Sequence, residues 1–215
     1  MLNDKLHSYI DGLFPERNPL FMEMEKFAVE NQVPIMELAG IETMLQILRI
    51  HDSKKILEVG TAIGYSALRM AEALPKAAIV TIERDVERIQ LATEFIQRSN
   101  HQEQIFLVKG DALEVEEQVG EQAPFDAIFV DAAKGQYKRF FELYSKYLNK
   151  DGIIITDNVL FKGLVAESEI ESKRIRNLVK KIDEFNHWLM SHPDYHTVII
   201  PVGDGVAISK RKRGE

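Results

Sequence analysis

Apolar and polar positions along this chain follow two different rhythms. Over the first fifty residues, PLFMEMEKFAVENQ (19–32) and ELAGIETMLQILRI (37–50) repeat apolar residues at spacings of three and four, which predicts a helical segment over 1–50. From Lys55 onward, short apolar runs alternate with longer amphipathic stretches. KILEVG, AIVTIE, QIFLVKG, FDAIFVD and GIIITDN read as strands. YSALRMAEAL, VERIQLATEFIQRS, a short acidic helix from about Ala112, and QYKRFFELYSKYL read as the helices between them. Strands that are apolar throughout and separated by helices predict an α/β fold, with a mostly parallel sheet covered on both faces.

The end of the chain breaks the alternation. A long helix is predicted from Lys173 to about Met190, within the segment 173–192, and then YHTVIIPV and VAISKRK flank Gly-Asp-Gly. Two strands joined by a tight glycine-containing turn predict an antiparallel hairpin over 194–210 at the sheet edge. AESEIESK is the most linker-like stretch, and no internal repeat interrupts the pattern. A length of 215 residues suits one domain over 1–215.

Composition narrows the chemistry. The chain has no cysteine, which excludes disulfides, zinc-thiolate sites and thiol nucleophiles, so any metal is held by oxygen or imidazole. No run approaches the roughly 20 apolar residues of a membrane span, and MLNDKLHSYIDG lacks the regions of a signal peptide. A cytoplasmic protein without membrane contact is expected. The net charge of −7 argues against a general basic coat, yet KRIRNLVKK (173–181) and KRKR (210–213) are local basic patches.

Acidic and amide residues gather at the predicted strand ends. The turn in ILEVGTAIGYS carries Gly60 and Gly64 with Ala62 between them, which departs from the dinucleotide fingerprint and lacks the lysine of a phosphate loop. It reads either as a ligand-approach turn at a helix start or as a tight turn alone. Glu83 suits a ribose diol and Asp111 an adenine amino group, although Asp111 also reads as a helix cap. Asp131, Asp157 and Asn158 form a hard oxygen set suited to magnesium or calcium, and each alone is also explained as a cap or turn residue.

In this order, ILEVGTAIGYSAL, TIERD, GDA, FVDAAK and ITDNVL resemble the metal-dependent O-methyltransferases related to catechol and caffeoyl-CoA O-methyltransferases. The likeness spans about Pro34 to Lys210, and VPIMELAG, DAAKGQY, DNVLFKGLVAE and NHWLM make it most similar to the bacterial tRNA 5-hydroxyuridine methyltransferases. The resemblance implies a Rossmann-like methyltransferase fold with a seven-stranded sheet, S-adenosylmethionine as methyl donor, and Mg²⁺ or Mn²⁺. By matching motif, Met36, Glu58, Gly60 and Ser66 border the donor, Glu83 holds its ribose, and Asp111 and Ala112 its adenine. Asp131, Asp157 and Asn158 would hold the metal, Asp131 also facing the donor, and Lys134 would face the reacting hydroxyl as base or oxyanion partner. A homodimer is also implied, with the N-terminal helices as candidate interface.

The expected reaction is methylation of the 5-hydroxyl of wobble 5-hydroxyuridine in tRNA to 5-methoxyuridine. The rivals are O-methylation of a small catechol-like phenol, and a non-catalytic donor- or RNA-binding module. The tRNA reading draws on the basic patches, with Arg174, Arg176, Lys180, Lys181, Lys210 and Arg211 as candidate phosphate contacts. Trp188 reads as core or interface packing, or alternatively as a substrate wall.

Overall fold

The structure is a computed structural model that describes residues 4–212, so Arg213 of the basic tail lies outside the described residues. Helices α1 (Asp4–Asp11), α2 (Pro19–Glu30) and α3 (Leu38–His51) precede the sheet. α2 begins where Asn18 accepts the Phe21 N–H and Pro19 takes the first helical position, which needs no donor. α3 stops at Asp52, whose left-handed backbone turns its N–H back to the Leu48 and Arg49 carbonyls.

The strands are β1 (Lys55–Val59), β2 (Ala78–Glu83), β3 (Ile105–Lys109), β4 (Phe125–Val130), β5 (Leu148–Thr156), β6 (Tyr195–Ile200) and β7 (Val206–Arg211). They form one sheet in the order β3-β2-β1-β4-β5-β7-β6. The first five are parallel, while β7 runs antiparallel between β5 and β6. The predicted α/β architecture with a C-terminal hairpin is the one observed. The hairpin is inserted rather than appended: Thr156 at the end of β5 pairs with Ala207 near the start of β7. Any residue in the β6–β7 turn therefore sits at the carboxyl ends of the parallel strands.

Alternate residues of the central strands supply two cores, as the period of two requires. Ile56, Ile79, Phe129 and Ile155 pack with Met44, Leu48, Leu68 and Phe95 on one face. Leu57, Val80, Ile128 and Ile154 pack with Phe141, Tyr144, Phe185 and Leu189 on the other. The covering helices are α4 (Tyr65–Ala73), α5 (Val86–Arg98), α6 (Glu116–Gly120), α7 (Tyr137–Tyr144) and α8 (Lys173–Met190). A buried polar network ties the N-terminal helices to α4: Arg69 donates to Tyr65 Oη at 2.7 Å and bonds Glu42, while Tyr65 donates to Glu25 at 2.6 Å.

Two local expectations are corrected. The acidic helix starts at Glu116 rather than near Ala112, because the Asp111 carboxylate and carbonyl hold the Leu113, Glu114 and Val115 N–H groups in a turn first. Ile175, whose helical spacing with Leu178, Val179 and Ile182 predicts a place on the apolar face of α8, is exposed, and the buried face begins at Val179. The first two turns of α8 thus extend past the core. Trp188 stands edge-on to Phe141 and stacked on Phe185, in accord with the packing reading. Among the described residues no helix is long and apolar enough to cross a membrane.

Candidate active site

The sheet order reverses between β1 and β4, and the crevice expected at such a switch point is present over the strand ends. It has a volume of about 800 Å³, within the range of small-molecule sites. Gly60 sets its floor. At φ +107° its backbone is left-handed, and a Cβ there would stand 2.2 Å from the Asp131 carbonyl oxygen. Only glycine lets these two backbone segments meet.

Glu83 is buried at the end of β2 and organises this turn, accepting from the Ala62 N–H at 2.9 Å, Arg84 N–H at 2.9 Å and Asp85 N–H at 3.0 Å. Asp111 accepts from Leu113 N–H at 2.9 Å and from Arg84 at 2.8 Å, and these bonds hold its carboxyl below the usual range. Asp111 is therefore a turn acid rather than a helix cap, and it lines the crevice with Ala112. Met36, buried, closes the same end with Pro34 and Ile35.

Glu58 lies one layer deeper than expected. It is fully buried in β1, accepts from Ser66 Oγ at 2.5 Å and Thr81 Oγ1 at 2.5 Å, and is absent from the crevice lining. Ser66, with Met36 and Gly60, borders a small adjoining cavity. Glu58 thus meets a ligand only through the hydroxyl it orients. Burial pushes its carboxyl up to about 7, against the Ser66 and Thr81 bonds, with Asp131 and Glu83 adding repulsion.

Asp131 and Asp157 continue the ladders past β4 and β5, through Asp131 N–H to Val59 O and Asp157 N–H to Val130 O. Burial pushes both carboxyls up, and their mutual repulsion raises Asp157 further. Asn158, at φ +58°, donates from its amide to Asp157 at 2.8 Å and presents Oδ1 to the Lys134 ammonium. Two adjacent carboxylates beside an amide oxygen fit a hard divalent cation completed by water and substrate oxygens. Among the described residues no three His, Asp or Glu side chains form a ready metal cage, so the amide is a necessary part of that set.

A family model described as O-methyltransferase matches residues 14–212. The chain belongs to the O-methyltransferase family. A caffeoyl-CoA O-methyltransferase of Populus kitakamiensis is 34% identical over 172 residues, 77% of this chain and 73% of that protein. A flavonoid 3',5'-methyltransferase of Vitis vinifera is 32% identical, covering 88% of this chain and 83% of the relative. Among solved structures, a "putative caffeoyl-CoA O-methyltransferase" from Staphylococcus aureus matches with TM-score 0.92 and 37% identity over 97% of this chain and all of its own. The SAH-bound Podospora anserina methyltransferase PaMTH1 matches with TM-score 0.84 and 25% identity over 98% and 95% of the two chains. This O-methyltransferase is S-adenosylmethionine-dependent.

Several crevice residues escaped the sequence reading. Phe161 and Lys162 line the acceptor side in a left-handed backbone, φ +44° and +56°, and Lys134 lies 5.9 Å over the Phe161 ring. Non-glycine residues in that region are strained, and such strain concentrates at functional sites. Asp204 enters from the β6–β7 turn, and its only sequence signal was a charged residue between two glycines.

The two basic patches are not brought together. Lys210 pairs with Ile153 near the far end of β5 and donates to the Asp151 carbonyl, while Arg211 donates to Ser145 O at 2.6 Å. Both stand at the opposite end of the sheet from the crevice. The α8 cations lie at the crevice end, where α8 packs on the turns containing Lys134 and Phe161.

The charge on Glu58 gives a pH prediction. Its folded value, about 7, exceeds the ordinary 4.5, so the cost of ionising it in the fold is absent below about 4.5, grows through this interval and is complete above about 7. Glu58→Gln removes that cost. In ligand-free protein, urea unfolding at pH 4.5 and pH 8 is expected to show the variant gaining up to about 3 kcal/mol on the native protein between the two.

Proposed function

We propose that this enzyme methylates the 5-hydroxyl of 5-hydroxyuridine at the tRNA wobble position, yielding 5-methoxyuridine. The observation that carries this reading is the basic start of α8 beside the acceptor end of the crevice. Lys181 Nζ lies 3.7 Å from where a Cβ on Gly135 would stand, so an exposed cation abuts the turn that holds Lys134. Lys173, Arg174 and Lys181 have no ion pair among the described residues, whereas Lys180 faces Glu184 at 3.8 Å and Arg176 donates to the Ile170 and Glu171 carbonyls. A polyphosphate acceptor is rewarded by such a surface through counterion release.

In this reading Glu83 accepts from the donor's ribose hydroxyls while keeping the glycine turn in place. Asp111 and Ala112 meet the adenine, and Ser66 and Met36 hold the methionine end. Asp131, Asp157 and Asn158 would hold Mg²⁺ or Mn²⁺. Bound there, the ion would supply Lewis-acid polarisation of the acceptor hydroxyl and lower its pKa. The hydroxyl proton passes to water, and Lys134, already at Asn158 and above Phe161, donates a hydrogen bond to the resulting oxyanion. Transfer is an in-line displacement in which the oxygen takes the methyl group and the sulfonium becomes a neutral thioether, so alignment dominates the catalysis. Phe161 borders the acceptor space and limits its water.

A second reading, O-methylation of a small catechol-like phenol, is favoured by the identity to the caffeoyl-CoA and flavonoid enzymes. A free phenol needs no phosphate-binding helix, whereas a phenolic coenzyme A ester, with its own phosphates, would also be rewarded by one. Mass spectrometry of tRNA nucleosides from cells with and without the gene tests the proposal. Loss of 5-methoxyuridine with accumulation of 5-hydroxyuridine is expected, and an unchanged nucleoside profile overturns it.

Charge reversal on α8 separates the two acceptors. Arg174→Glu with Lys181→Glu is expected to raise KM for tRNA at least about tenfold at low salt while leaving KM for S-adenosylmethionine unchanged. Lys210→Glu, at the far end of the sheet, serves as the control with little effect. Equal effects of both replacements on tRNA would remove α8 from the acceptor site.

A further inference from the structure

Asp204 has no role in the reaction as described so far, and three features of its position give it one. The first is place. Along the sheet, the crevice runs from Asp111 and Glu83 after β3 and β2, through Gly60 after β1, to Asp131 and Asp157 after β4 and β5. The next strand in the row is β7, and Asp204 lies in the turn that begins it. The donor occupies the β1–β3 side of this row, so Asp204 belongs to the space beyond the acceptor oxygens.

The second feature is rigidity. The Asp204 carbonyl accepts from the Leu160 N–H at 2.9 Å and the Phe161 N–H at 3.2 Å, and the Gly205 carbonyl accepts from Val159 at 3.0 Å. Gly203 packs on α3, 3.6 Å from the Gly40 Cα by its would-be Cβ. The turn is thereby fixed to the segment that follows Asn158, and its acid is held in register with the acceptor site.

The third feature is an unused carboxylate. Asp204 lines the crevice with no side-chain hydrogen bond or ion pair among the described residues, although its charge is felt at Asp131, Asp157 and Tyr137. Among the described residues Asp131, Asp157 and Asp204 do not gather into a group of three acids that could hold one metal ion. A carboxylate is acceptor-only and requires a donor. In a half-buried crevice, that donor comes from the substrate.

We propose that Asp204 is a specificity-determining residue that accepts the imide N–H of the pyrimidine acceptor. This rests on the hydroxyuridine reading. An oxidised uracil carries an N–H beside the carbonyl that neighbours its reactive hydroxyl, whereas an ortho-diphenol carries only carbon there. One carboxylate beyond the two acceptor oxygens therefore favours the pyrimidine and leaves a buried acceptor unmatched over the phenol, which is how polar sites reject analogues.

The test compares three acceptors with the full-length enzyme, S-adenosylmethionine and Mg²⁺: an anticodon stem-loop RNA bearing 5-hydroxyuridine, the same RNA methylated at N3, and an ortho-diphenol. Asp204→Ala is expected to lower kcat/KM for the first RNA by about 10- to 100-fold, the range for a hydrogen bond to a charged group. The same change lowers kcat/KM for neither the N3-methylated RNA nor the diphenol and raises it severalfold for the diphenol, because the unmatched carboxylate is gone, while Asp204→Asn, which keeps a carbonyl acceptor, restores part of the loss on the first RNA. Unchanged donor affinity and thermal midpoint exclude a folding effect. Equal losses on all three acceptors overturn the proposal and make Asp204 structural. Turnover of the diphenol but of neither RNA by the unsubstituted enzyme instead overturns the hydroxyuridine reading, and the proposal with it.

Discussion

Negative charge confined at the carboxyl ends of parallel strands is the constraint on which the rest of this site depends. Glu58 and Asp157 are buried and Asp131 half-buried, with Asp204 nearby, and Lys134 is the cation that faces Asp131 and Asp157. Burial of incompletely matched charge is expensive, and all three carboxyls respond by rising above their ordinary values. The fold tolerates this because each acid is fixed by backbone: two extend β-ladders, and the third sits inside β1 with two hydroxyls bonded to it. Such an arrangement is poor for stability and well suited to ligands that bring positive charge. A sulfonium donor and a divalent cation both do so.

Backbone geometry makes the space. Gly60 allows the first turn to touch the Asp131 backbone, and the left-handed run at Asn158, Phe161 and Lys162 folds the acceptor wall over the same strand ends. The insertion of β7 between β5 and β6 then brings a turn from near the end of the chain into the site. In the proposed reaction the donor and acceptor halves are thereby built from opposite halves of one sheet, the placement an in-line transfer needs.

Much of this was legible in the sequence because its physical causes are local. Unbroken apolar runs such as AIVTIE can only be strands buried on both faces, and the acids that terminate them mark the crevice edge. The depth of Glu58 was not legible, since it depends on Ser66 and Thr81 turning inward from two different elements. The start of the acidic helix was misplaced because Asp111 bonds the next turn before a helix can form. The basic tail was grouped with α8 by charge alone, whereas the antiparallel direction of β7 carries Lys210 to the far end of the sheet. Topology, which a single sequence encodes weakly, decided that point.

In the proposed reaction Asp131 and Asp157 form a divalent-cation site, their paired charge only partly offset by Lys134. Calorimetric titration of Mn²⁺ into the ligand-free enzyme tests it without reference to turnover. One saturable site is predicted for the native protein, lost in Asp131→Asn with Asp157→Asn while the double variant remains folded. Absence of saturable binding by the native protein, or undiminished binding by the double variant, would contradict it.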